Sequence, residues 1–111
     1  MAVRTVISAD DVTKWLGLKP ASVDETLPVV VSTVNAYVSG IPVLANLEDT
    51  AAVPADVKQG ATMLAARLWR RRNSPSGVET ITEAGAQYVA RYDPDMSRLL
   101  RLDGFTAPAV G

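Results

Sequence analysis

Four arginines, Arg67, Arg70, Arg71 and Arg72, form the densest run of charge in this chain of 111 residues. Guanidinium groups at this spacing can neutralise phosphates along about 1.5 helical turns or pair with carboxylates on a protein partner. Asp10-Asp11 and Asp93-x-Asp95 are paired acids that could hold a hard cation. Both pairs stand at expected helix starts, where capping and the helix dipole account for them. The chain has no Cys and no His. Disulfides, thiolate or imidazole metal sites and the commonest general base are therefore excluded. No G-x-x-x-x-G-K-[ST] or G-x-G-x-x-G motif is present, and nothing marks a Ser or Thr as an activated nucleophile. The expectation is a non-enzymatic protein without metal or cofactor.

A net charge of −1 conceals a segregation. Residues 1–56 carry an acidic excess, and residues 79–111 a milder one. Between them, residues 57–78 hold Lys58 and the four arginines with no acid. A basic zone between acidic zones suits self-association or docking. The plainer explanation is that cations at a helix C-terminus complement its dipole.

The arginines sit at the end of a long expected helix. Pro54 opens it and Asp56 lies in its first turn; Asn73, Ser74, Pro75, Ser76 and Gly77 close it. At ~100° per residue, Val57, Ala61, Leu64, Ala65, Leu68 and Trp69 share one arc. Arg67, Arg70 and Arg71 lie across from that arc, and Arg72 swings back toward it. Three further helices are expected. Ser8 caps the first, with Val12, Trp15 and Leu16 on its apolar face and Gly17 at its end. Asp24 or Thr26 caps the second. Its core face is Leu27, Val30, Val31, Val34, Tyr37, Val38 and Ile41; Ser32, Asn35 and Ser39 form its polar face, and Val29 points away from the core. A strand is the alternative for the β-branched run there. Asp93 caps the last helix, with Pro94 at its first position, Met96, Leu99 and Leu100 buried, and Gly104 as its stop. Residues 41–53 read as an extended linker. In residues 77–89, Val78, Thr80 and Thr82 suggest an extended loop, and Glu83-Ala84-Gly85-Ala86 offers a turn or a short helical piece; a short strand or hairpin is the alternative.

The fold class is therefore all-α: a small bundle of about four helices with a loop after the long third one. Residues 1–102 form a single domain, with residues 103–111 as a C-terminal tail. With few aromatic residues, the core must be built from Val, Leu and Ala. No segment reaches the ~20 apolar residues of a membrane helix. The first ten residues lack a signal-peptide pattern, so synthesis in the cytoplasm is expected.

The order of these motifs resembles the small head–tail connector (adaptor) proteins of tailed bacteriophages. The resemblance rests on Pro54, Val57, Ala61, Leu64, Ala65, Leu68, Arg71 and Arg72, followed by Ser74, Pro75 and Gly77. "DDVTKWLGL" and "AYVSGIP" precede this helix, and "RYDPDMSRLL" follows it. The resemblance spans roughly residues 8–102, and residues 41–53 depart from it. It implies a non-enzymatic helical protein that assembles as a ring, usually of about twelve copies, beneath the portal protein. Such a ring extends the channel for DNA, which passes through without sequence-specific contact, and meets a stopper or tail-completion protein. The implied location is the head–tail junction of the virion.

Carried onto this chain, the resemblance makes Ser74, Pro75, Gly77 and Val78 a ring-contact loop. Phe105, Pro108 and Val110 become a portal-docking tail, and Arg67, Arg70 and Arg71 a partner or channel face. The alternative is a small helical DNA-binding module using the same three arginines. Against it stand an isoelectric point of about 5.3 and the lack of a recognition-helix pattern.

Overall fold

A computed structural model describes residues 3–19, 23–48, 50–71 and 81–102. Among them are six helices: α1 (Ala9–Leu16), α2 (Thr26–Ser39), α3 (Pro42–Ala45), α4 (Ala55–Arg71), α5 (Glu83–Tyr92) and α6 (Pro94–Leu99). The described residues contain no strand. The all-α bundle expected from the sequence is what forms. Arg72, the loop residues Ser74, Pro75, Gly77 and Val78, the stop at Gly104 and the tail residues Phe105, Pro108 and Val110 lie outside the described residues.

Local chemistry explains most helix ends. Ser8 and Asp11 form a reciprocal capping box: the Asp11 N–H donates to Ser8 Oγ, and the Ser8 N–H donates to Asp11 Oδ2 at 2.9 Å. Gly17 ends α1 in the left-handed region at φ 68°. Asp24 Oδ1 accepts from the Thr26 N–H at the start of α2. The Pro54 carbonyl accepts from the Lys58 N–H as α4 begins. Asp93 Oδ1 takes the N–H groups of Asp95 and Met96 at the start of α6. That helix ends sooner than expected, at Leu99, because Arg101 turns left-handed at φ 58° and the Leu102 N–H closes back on the Ser97 carbonyl.

The fold is organised around α4, which packs against α1, α2, α5 and α6. Val57, Ala61, Leu64, Ala65, Leu68 and Trp69 are all buried, as their arc requires. Gly60 is buried too. A Cβ there would sit 3.0 Å from Leu100 Cγ and Cδ2 and from Leu99 Cβ, so the missing side chain sets how closely α6 approaches.

Four expectations are corrected. Residues 41–53 are not extended throughout: Pro42–Ala45 makes one helical turn that buries Leu44. Residues 77–89 do not end as a loop or hairpin: the short helical piece offered at Glu83 to Ala86 is the start of a ten-residue helix, α5. Thr82 acts as its cap, accepting from the Gly85 N–H, and Ala86, Val89 and Ala90 are buried at helical spacing. Trp15 is not in the core but 52% exposed. Asn35 and Ser39 are not on a polar surface. Both are buried and hold the extended N-terminal segment. Asn35 Oδ1 accepts from the Val6 and Ile7 N–H groups at 3.0 Å each, and its Nδ2 donates to the Ile7 carbonyl. Ser39 Oγ accepts from the Arg4 N–H and donates to the Asn35 carbonyl.

This clamp gives a test. Asn35→Ala strands two N–H groups and one carbonyl in the core, a loss of about 2–5 kcal/mol. Ser32→Ala, on the exposed side of the same helix, should stay within about 0.5 kcal/mol of wild type. Urea unfolding midpoints separate the two outcomes. A second test concerns the α4–α6 contact. Gly60→Val forces α6 outward and should cost about 1–3 kcal/mol by overpacking, although Val is the better helix former.

Candidate partner-binding surface

The three arginines named from the sequence lie near the C-terminal end of α4, and all are exposed. Their positions three and four residues apart place them on one side of the helix. Arg67 and Arg70 line the same shallow cavity, of about 190 Å³, together with Trp15, Met63, Ala66 and Met96. Arg71 is not part of that lining. Arg67 is already engaged: its Nη2 lies 2.5 Å from Asp93 Oδ2. Arg70 has no hydrogen bond or ion pair with the described residues.

A neighbouring cavity of about 370 Å³ lies along the same α1–α4 groove, bordered by Asp11, Lys14, Trp15, Lys58, Gln59 and Thr62. Trp15 lines both. From Lys58 to Arg70, the α4 edge of this groove runs about 18 Å. Its charge is mostly positive. Lys14, Lys58, Arg67 and Arg70 border it, whereas Asp11 lies 4.0 Å from Lys58 Nζ and serves the Ser8 capping box. An indole beside guanidinium groups is the composition found at the energetic centres of protein interfaces.

Three carboxylates are tuned by their partners. The Ser8 N–H first, and the Ser8 hydroxyl and nearby lysines after it, hold Asp11 below the usual carboxylate range against a modest effect of burial. Asp56 is lowered by the Arg101 guanidinium, whose Nε and Nη2 reach its two oxygens at 3.0 and 3.1 Å. For Asp93 burial alone would raise the pKa; the Met96 and Asp95 N–H groups and Arg67 outweigh it and lower the value. Each acid therefore has a structural partner within the chain.

A second exposed aromatic surface went unseen in the sequence, because residues 77–89 read chiefly as a loop. Once α5 is a helix, Tyr88 and Tyr92 are one turn apart and stack, with ring centroids 4.5 Å apart and planes inclined by 35°. They are 60% and 74% exposed. The i, i+4 spacing of the two tyrosines was the available signal. Val29, expected to point away from the core, is 54% exposed.

Compared with protein-family models, curated proteins and solved structures, the chain has no match.

The tuned carboxylates set a pH dependence. Their folded pKa values lie below the unfolded ones, so their stabilisation is complete above the ordinary carboxylate pKa of about 3.9. It is lost as pH falls through the lowered folded values. Arg67→Gln should raise the Asp93 pKa and remove part of this acid sensitivity. A carboxyl-detected NMR titration of wild type and variant measures the change directly; identical Asp93 curves would exclude the coupling.

Proposed function

We propose that this chain is a structural, non-enzymatic head-to-tail adaptor of a tailed-bacteriophage virion. In this reading copies form a ring of about twelve beneath the portal protein. The ring extends the DNA channel and joins the capsid to a stopper or tail protein. The supporting observation is the pairing of the motif order with its placement: a buried α4 stripe whose far end presents Arg67 and Arg70 beside exposed Trp15. A mixed indole and guanidinium surface favours a protein contact with acidic groups over phosphate tracking alone.

The same reading gives Ser74, Pro75, Gly77 and Val78 to ring contacts and Phe105, Pro108 and Val110 to the portal. The chain alone is then a monomer or a weak associate, and the portal templates the ring.

The test is co-sedimentation with portal-bearing heads. Replacing Arg67, Arg70 and Arg71 together with Gln should abolish attachment while circular dichroism still reports a folded helical chain. Arg70→Gln alone should weaken attachment without altering stability by more than about 0.5 kcal/mol, because its side chain is exposed and has no ion pair among the described residues. Normal attachment with a defect only in DNA retention would move the arginines to the channel wall. Specific DNA binding by a stable dimer without any portal would overturn the adaptor reading.

A further inference from the structure

Two aromatic surfaces on different helices of this chain have no partner within the described residues. The Trp15 groove belongs to α1 and α4; the Tyr88/Tyr92 stripe belongs to the outer side of α5. Helices α1 and α5 each pack on both α2 and α4, yet do not touch each other. The two surfaces therefore stand on different helices, linked by α6, which packs on both α4 and α5. A chain carrying two different patches associates heterologously, head to tail, if the patches fit one another.

Their chemistry fits. The groove offers an indole, the sulfur-bearing side chain of Met63, and the cations Lys14 and Arg70. The stripe offers two stacked phenol rings between acidic ends, with exposed Glu83 at the start of α5 and exposed Asp95 just beyond Tyr92. Guanidinium groups favour tyrosine faces, and methionine sulfur favours aromatic edges. Arg91, the cation nearest this stripe on α5, lies on the flank toward α2, where it borders a cleft with Tyr37. From Ala84 to Tyr92 the stripe is about 12 Å long, within the 18 Å of the groove.

We infer that a second copy of this chain occupies the groove, its Tyr88/Tyr92 stripe seated against Trp15 and Arg70. Only the closure of such contacts into a ring rests on the adaptor reading; the pairwise contact stands without it.

Because the natural chain has no Cys, the contact can be caught by cross-linking. A stripe-defective chain, Tyr88→Ala with Tyr92→Ala, keeps its groove and receives Ala55→Cys at the rim. A groove-defective chain, Trp15→Ala with Arg70→Gln, keeps its stripe and receives Ala84→Cys. All six positions are exposed, and circular dichroism verifies folding. A short bismaleimide should link the two chains to each other in a mixture, with no product larger than a dimer. Neither chain alone should yield a cross-linked dimer above the background of a chain defective in both patches. Absence of the mixed product overturns the contact. So does equal cross-linking of either variant with itself, which would mean a two-fold patch instead.

Attachment of wild type to portal-bearing heads is scored in parallel. Mixed cross-linking without attachment retains the contact and removes the adaptor reading. Attachment without mixed cross-linking does the reverse.

Discussion

Burial of α4 on several sides is the constraint on which the rest of the structure depends. A helix that touches four others must present small residues where they approach, and Gly60, Ala61, Ala65 and Ala66 do so. Larger buried residues, Val57, Leu64, Leu68 and Trp69, fill the space between those approaches, each contributing about 1.5–3 kcal/mol by leaving water. This crowding leaves one outward strip, from Lys58 to Arg70. The arginines are presented there because the other faces of the helix are taken.

The polar interior fixes what borders that strip. Asn35 holds the Val6–Ile7 backbone, and Ile7 is buried beside the start of α1. The capping box at Ser8 then sets the direction in which α1 leaves. Val12 enters the core from α1, while Trp15, three residues later, comes to lie over α4 at the edge of the groove. A buried amide in helix α2 thus determines where an exposed indole stands on another helix. On the opposite edge, Arg67 and Asp93 tie the end of α4 to the junction of α5 and α6, and Arg101 and Asp56 tie the other end. These exposed pairs contribute little stability individually. Their effect is to fix the register of α6 along α4.

Much of the fold was legible because it follows helical periodicity and capping chemistry. The α4 stripe, the Ser8 cap, the Asp93–Pro94 start and the outward-facing Val29 all have a local cause. What was not legible depends on partners distant in sequence. Asn35 and Ser39 are polar and read as surface; only the arrival of residues 4–7 makes them core. Trp15 shares its arc with Val12, but α1 is too short and too peripheral to bury both. Thr82 and Gly85 resemble strand and turn residues until Thr82 is seen capping a helix. Of the candidate surface, the arginines were found by composition. The groove beside them and the tyrosine stripe required the packing of α1 and the existence of α5.

The claim at the centre of this account is that the chain works as repeated copies at a portal vertex. Electron microscopy of portal-bearing heads incubated with the purified wild-type chain tests it most directly. The account predicts an added ring of density beneath the portal, made of identical small helical subunits around an open channel. Portal vertices unchanged at saturating protein, or single copies bound without rotational order, would contradict it.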